Sequence, residues 1–312
     1  MSFSSFEPGE GFSPRVNLSH LDSWIEPLIR RFAPPSPTRG EGKKASAFSS
    51  PTASAKPRAM NRTGLVIALG LSLVIGLLFG IFPEFDLKLA ALFYDSASAS
   101  FPLKQDGLAG FARDAAMWIA WALALPALIA IVGKLVRPDR PMLVPGRAAV
   151  FLVVTILLSA VVLTNLTFKS HWGRPRPVVV TEFNGPWHFV PWWDPRGECG
   201  RNCSFFSGEG ATAFWTYAPA ALTPPAWRPL AYVAATAFGI VTSVLRMAFG
   251  GHFFTDVAAA GLVSFFVIWL AYAWIYRWPS TRVSDEQIEA ALARWGRPGY
   301  RLWQRWRGRT AA

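Results

Sequence analysis

The sequence lacks the residue patterns of a metal enzyme. Its 312 residues include four histidines and two cysteines, and these do not have the spacing of a zinc site. It also lacks a cluster of spaced carboxylates of the kind that binds magnesium. The sequence therefore predicts a site with no metal and no cofactor.

Charged residues are missing from several long stretches of a chain that is 52% hydrophobic. A helix needs about 20 residues to cross the hydrocarbon core of a bilayer. Five stretches approach or reach that length: Thr63–Phe82, Ala115–Ile131, Ala148–Phe168, Pro229–Leu245 and Val257–Tyr276. A weaker sixth stretch runs from Ser204 to Leu222 and carries Glu209. The predicted fold is all-α, a polytopic six-transmembrane-helix bundle.

Acidic residues are also few, with 19 Asp and Glu against 31 Lys and Arg and a net charge of +12. The basic residues form no continuous face with interleaved aromatic residues, which argues against nucleic-acid binding. They collect before span one, between spans two and three, and after span six. Because Lys and Arg favour the cytoplasmic side, both termini are predicted in the cytoplasm, and the loops after spans one, three and five outside.

The composition divides the chain into three predicted regions. Residues 1–59 are expected to be a disordered tail, 60–278 the six-span domain, and 279–312 a basic cytoplasmic tail. Met60 directly precedes the first span, so it is an alternative start at which the N-terminal tail would not be made. In the C-terminal tail, Ser284 with Gln287 predicts a helix start. That helix would lie on the inner membrane surface, with a solvated basic tail as the alternative.

Two cysteines, Cys199 and Cys203, lie in the predicted outer loop between spans three and four. An oxidising exterior permits a disulfide between them. The alternative is a pair of free thiols that happen to be close in sequence.

Three short polar segments stand at span ends that must share one side of the membrane. The first runs from Lys169 through Arg174 and Arg176 to Pro177, the second is Ser207-Gly208-Glu209, and the third holds Arg246, His252 and Asp256. A single Lys or Arg at such a position more often extends to the lipid headgroups. Several cations with a histidine and an aspartate at matched ends indicate a functional site.

The residue types in these segments suit an anion and a nucleophile. Arginine and lysine bind phosphate oxygens, and the backbone N–H groups near Gly208 can donate to the same anion at a helix start. His252 and Asp256 are four residues apart and share one helical face. A carboxylate on one ring nitrogen leaves the other nitrogen free as a nucleophile or base.

The pattern Lys-x6-Arg-Pro, then Ser-Gly, then Arg-x5-His-x3-Asp resembles the signature of the type-2 phosphatidic acid phosphatase superfamily. The resemblance covers about Thr63–Tyr276 and implies metal-independent hydrolysis of a membrane lipid phosphate or diphosphate through a phosphohistidine. It implies these roles: Lys169, Arg176 and Arg246 bind the phosphate, Ser207 and Gly208 complete its cradle, His252 is the nucleophile, and Asp256 orients it.

Two positions depart from the pattern of the superfamily. Leu245 stands where the third motif usually has serine, and Glu209 stands where the second motif has the histidine that protonates the leaving group. Glu209 is predicted to be the acid. The alternatives are a substrate that leaves without a strong acid, or substitution by His171 or His188.

The resemblance also indicates a place and a class of substrate. Bacterial members act on undecaprenyl diphosphate, phosphatidylglycerol phosphate or the phosphates of lipid A, and the cysteine-bearing loop with Ser-Gly-Glu favours the last. The expected location is a bacterial inner membrane with a periplasmic, outward-facing active site. Alternatives are a phosphotransferase, vanadate-dependent haloperoxidase chemistry, and a non-catalytic scaffold or transporter. The oligomeric state stays open.

Overall fold

The computed structural model describes residues 62–310, without the side chains of residues 309 and 310, and shows a helical protein. Its helices are α1 (Arg62–Ile81), α2 (Glu84–Ala91), α3 (Gly107–Val136), α4 (Gly146–His171), α5 (Gly208–Phe214), α6 (Tyr217–Leu222), α7 (Arg228–Ala248), α8 (Phe254–Arg277) and α9 (Asp285–Thr310). No β-strand is present in residues 62–310, which confirms the all-α prediction. The predictions for residues 1–59 and for a start at Met60 lie outside the described residues.

Five of these helices are long and apolar enough to cross a membrane: α1, α3, α4, α7 and α8. They coincide with the five strong apolar stretches of the sequence. Helix α3 begins earlier than predicted because Asp106 caps it, its carboxylate accepting a hydrogen bond of 2.7 Å from the Ala109 N–H. Membrane-spanning helices are thus confirmed.

The predicted fourth span is instead two short helices, α5 and α6, with a break at Trp215 and Thr216. The Thr216 hydroxyl donates to the Ala213 carbonyl at 2.6 Å, and the Trp215 indole donates to Thr155 at 2.9 Å. The Thr216 bond is of the local side-chain-to-backbone kind that competes with the helical backbone pattern. Five helices of residues 62–310 are thus each long and apolar enough to cross a membrane, and the predicted fourth span is divided between α5 and α6.

Small residues form the contact between neighbouring long helices. Ala120, Ala124 and Ala127 on α3 are almost fully buried, whereas Val66 and Leu73 on α1 are more than 60% exposed. Lipid tails are as apolar as leucine, so helices in a bilayer associate where small side chains allow close approach. The exposed apolar side chains of α1 are those expected to face lipid.

Helix α9 packs against the ends of α3 and α4. Ser284 and Gln287 form the predicted capping box, with reciprocal hydrogen bonds of 2.7 and 3.1 Å. Lys134 pairs with Glu289 at 2.8 Å, and the guanidinium of Arg147 pairs with Asp285 at 2.8 Å. The other end of the bundle, where α4 ends and α5 begins, carries the three polar segments.

Candidate active site

The three polar segments are joined by backbone hydrogen bonds. The Cys203 N–H donates to the Lys169 carbonyl at 3.3 Å, and Ser204 donates to Arg174 at 2.8 Å. Ser207 donates to the Asp256 carbonyl at 3.2 Å. The end of α4, the start of α5 and the start of α8 are thereby held together in one site.

His252 lies in the turn between α7 and α8 and is 1% exposed. Burial lowers the pKa of His252 to about 4, and the nearby Asp256 opposes that shift only in part. Its Nδ1 lies 3.7 Å from an oxygen of Asp256, longer than a hydrogen bond, and has no other partner among the described residues. At neutral pH the imidazole is therefore uncharged, with Asp256 beside it.

The Asp256 carboxylate is fixed by other donors. It accepts hydrogen bonds from the Ser204 hydroxyl, from Arg174 Nη1 and, at 2.8 Å, from the Phe253 N–H. The oxygen nearest to His252 is Oδ2, which also accepts from Ser204 and Phe253.

Arg174 connects Asp256 to a second carboxylate from a distant part of the chain. Its Nη2 donates to Asp86 of α2 at 2.8 Å, and its Nε donates to the Val190 carbonyl at 3.0 Å. Asp86 also accepts from the Thr255 N–H at 3.0 Å. All these polar groups are buried and paired, so α2 is tied to the start of α8.

The predicted phosphate-binding cations surround the turn before α5. A Cβ atom added at Gly208 would lie 3.3 Å from Lys169 Nζ, so glycine leaves room for that amine. Arg246 packs against Gly251, where an added Cβ would meet its Nη2 at 2.6 Å. Ser207 caps α5 by accepting from the Gly210 N–H at 3.1 Å. A helix start with nearby cations suits a phosphate group.

Glu209 lies between two arginines. Arg113 of α3 donates to its Oε1 through Nε at 3.0 Å and Nη2 at 2.8 Å. Arg246 Nε lies 2.6 Å from its Oε2 as an ion pair whose geometry falls outside that of a hydrogen bond. The two carboxylate oxygens of Glu209 thus each neutralise one arginine, Oε1 at Arg113 and Oε2 at Arg246.

Arg176 is held by the loop that contains the two cysteines. Its Nη2 donates to the Asn202 carbonyl at 2.9 Å and to the Asn202 side-chain oxygen at 2.8 Å. Cys199 and Cys203 form a disulfide that closes this loop. The cysteine loop therefore sets the orientation of one phosphate-site cation.

The other two histidines of the described residues lie in different surroundings. His171 Nδ1 is 2.8 Å from the Thr167 carbonyl at the exposed end of α4. His188 is 81% exposed and lies 3.3 Å from Glu198. Neither contact involves Glu209 or Asp256.

Sequence reasoning missed Asp86, Arg113, Ser204 and Asn202. Asp86 and Arg113 lie outside the three polar segments, so the motif pattern gives them no role. An acid next to aromatic residues in Phe82-Pro-Glu-Phe-Asp86 is the one signal that could have pointed to a buried partner. No spacing rule links Arg113 to Glu209, because they are 96 residues apart.

Helices long and apolar enough to cross a membrane thus carry a buried His–Asp pair beside several cations at one end of the bundle. The sequence profile described as PAP2 superfamily matches residues 148–280. The chain belongs to this superfamily, which confirms the resemblance drawn from its motifs.

Three curated relatives named lipid A 4′-phosphatase are similar to this chain. The protein from Francisella tularensis subsp. novicida (strain U112) is 32% identical over 219 residues, 70% of this chain and 98% of the relative. The Rhizobium leguminosarum protein is 38% identical over 36% of this chain and 48% of its own length. The Rhizobium etli protein is 39% identical over 36% of this chain and 44% of its own length. The chain thus spans about half the length of the two Rhizobium relatives.

No solved structure matches the chain. The assignment to a lipid phosphatase therefore rests on the superfamily, the relatives and the membrane helices together.

Proposed function

We propose that this membrane lipid phosphatase removes a phosphate from lipid A or a similar phosphorylated lipid through a phosphohistidine on His252. The buried, uncharged His252 beside Asp256 carries this proposal. The names of the three relatives favour lipid A over undecaprenyl diphosphate and phosphatidylglycerol phosphate.

In the first step, His252 Nε2 attacks the phosphorus, and the bond from phosphorus to the lipid oxygen breaks. Lys169, Arg176 and Arg246 neutralise the phosphate oxygens, and Ser207 with the N–H of Gly208 donates to them. As the ring gains positive charge, Nδ1 hydrogen-bonds to Asp256, closing the 3.7 Å gap.

Glu209 gives a proton to the departing lipid oxygen. Its two arginine partners favour the ionised carboxylate, so Glu209 must take up a proton from water when substrate binds. The substrate phosphate takes over Arg246, and a dianion next to the carboxylate favours the protonated form.

In the second step, water attacks the phosphohistidine and the phosphorus–nitrogen bond breaks. Glu209, now ionised, accepts the proton of the water, and inorganic phosphate leaves. His252 is then uncharged again, and Glu209 loses its proton to water as phosphate leaves and the pairs with Arg113 and Arg246 form again.

The active site is proposed to face the periplasm of a bacterial inner membrane, with both termini in the cytoplasm. Lys134, Arg137, Arg140 and Arg147 lie together at the opposite end of the bundle, and Lys and Arg favour the cytoplasmic side. An impermeant maleimide applied to intact cells should label Ala97→Cys, whereas Gly308→Cys should react only after lysis. The reverse labelling would contradict this orientation.

The activity is tested by phosphate release from detergent-solubilised protein in the presence of EDTA. The panel contains lipid A, undecaprenyl diphosphate, phosphatidylglycerol phosphate and phosphatidic acid. Release should be fastest from lipid A and disappear in His252→Ala, while His188→Ala, at an exposed histidine, retains it. Release that requires a metal, or that survives in His252→Ala, would contradict the proposal.

A further inference from the structure

A polar cavity lies beside the phosphate site and is not used by the mechanism above. Its volume is about 590 Å³, and Lys169 forms part of its wall. The other lining residues are Asn165, Ser170, His171, Gly200, Arg201 and Asn202. Sites for small molecules usually have about 300–1,000 Å³, so a sugar fits this space.

One wall of the cavity is the short loop closed by the disulfide. Gly200, Arg201 and Asn202 are the residues between Cys199 and Cys203, and Asn202 has a positive φ of 53°. The same Asn202 accepts three hydrogen bonds from Arg176. The disulfide therefore holds the cavity wall and a phosphate-site arginine in one rigid unit.

The side chains at the cavity offer both donors and acceptors. His171 Nδ1 must donate to the Thr167 carbonyl, which leaves its Nε2 as an acceptor. Asn165 donates its amide N–H to the Ala160 carbonyl, which leaves its own side-chain oxygen as a second acceptor.

Arg201 adds a charge to this lining. It is exposed, and its guanidinium has no partner in residues 62–310. Acceptors together with an unpaired cation suit a ligand that is rich in hydroxyl groups and carries negative charge.

We propose that this cavity binds the phosphorylated sugar of the lipid headgroup while the scissile phosphate occupies the adjoining site at Lys169, Arg176 and Arg246. Arg201 binds an anionic or hydroxyl oxygen of the sugar, and His171 and Asn165 accept its hydroxyl protons. This rests on the proposed function and assigns the sugar specificity to the cysteine loop.

The test compares two soluble probes, glucosamine 4-phosphate and inorganic phosphate. Their binding to the detergent-solubilised full-length chain is measured by isothermal titration calorimetry, with His252→Ala in every sample to prevent turnover. Glucosamine 4-phosphate should bind at least about tenfold more tightly than phosphate, because it fills the cavity as well as the phosphate site.

Two variants act on the cavity alone. Arg201→Gln removes its unpaired charge, and Gly200→Trp fills it, since a Cβ at Gly200 meets no atom within 4 Å. Gly308→Trp is the matched control, because Gly308 is equally open but belongs to α9. Both cavity variants should weaken binding of glucosamine 4-phosphate about tenfold and leave phosphate binding unchanged, whereas the control changes neither.

A third variant tests the part played by the disulfide. The double variant Cys199→Ser, Cys203→Ser should also weaken binding of glucosamine 4-phosphate, because the disulfide no longer closes the loop.

Two results would overturn the proposal while the proposed function stands: equal binding of the two probes, or equal loss of both in the cavity variants. Failure of inorganic phosphate to bind at all would overturn the phosphate site, and the sugar site with it.

Discussion

Where α4 meets α5, Arg174 lies between Asp86 and Asp256, and none of the three side chains is more than 1% exposed. At the other end, Arg147 and Asp285 form an ion pair in which about a third of each side chain is exposed. Burying charges carries a large desolvation cost, and buried charges are stable only when every partner is in place. Water can solvate Arg147 and Asp285, so this exposed pair does not need every partner to be in place.

The fold thus places its buried charge network at the end of the bundle where chemistry is proposed, and an exposed ion pair at the other end. The charges at the α9 end attach a surface helix to the bundle. Those at the site end fix the carboxylate beside His252, so the same change of residue should have unequal consequences at the two ends.

Asp86→Asn should have the largest effect. It removes a charge partner of a fully buried arginine, and breaking such a pair costs about 3–5 kcal/mol. Because Arg174 also holds Asp256, turnover should fall as well. Thermal unfolding in detergent and phosphate release measure the two effects, and unchanged values for both would show that this network is dispensable.

Glu209→Gln should lower kcat about 100-fold, the lower range for loss of a positioned acid. Glutamine keeps the shape of the side chain but has no carboxylic proton. Steady-state kinetics over a range of pH provide the measurement. Full turnover with an unchanged pH profile would remove Glu209 from the role of acid.

The pH dependence of stability should report the burial of His252. Its pKa is about 6.5 in an unfolded chain and about 4 when folded. Between these values the unfolded chain binds the proton and the folded chain does not, so stability falls as the pH is lowered through this window, by about 2 kcal/mol or more.

The control for this pH effect is His252→Gln, which cannot titrate. Its unfolding temperature should depend less on pH between 6.5 and 4 than that of the unchanged chain. Parallel curves for the two proteins would mean that His252 is accessible to protons.

Asp285→Asn should have the smallest effect. The exposed pair with Arg147 contributes less than about 1 kcal/mol, and its loss leaves the site end untouched. Phosphate release should be unchanged. A loss as large as that of Asp86→Asn would erase the distinction between the two ends.

Hydropathy and motif spacing predicted the helical membrane fold and the approach of the three motif segments. A long apolar run shows which residues lie within the bilayer, and a chain that crosses a bilayer must place the flanking residues on defined sides. Lys169, Ser207 and His252 could therefore be brought to one end without knowledge of packing.

The remaining features depend on tertiary contacts. At the break between α5 and α6, the Trp215 indole donates to Thr155, which is 60 residues away in sequence, so the sequence pattern did not predict this contact. Asp86 and Arg113 approach the site from α2 and α3, which carry none of the three motif segments. Their partners are 88 and 96 residues away in sequence.

The central claim is that the phosphoryl group passes to His252, and rapid quenching with labelled substrate tests it directly. We expect an acid-labile, alkali-stable phosphohistidine that peptide mass spectrometry assigns to His252 and that is absent from His252→Ala. Phosphate release without such an intermediate, or a phosphorylated residue other than His252, would contradict it.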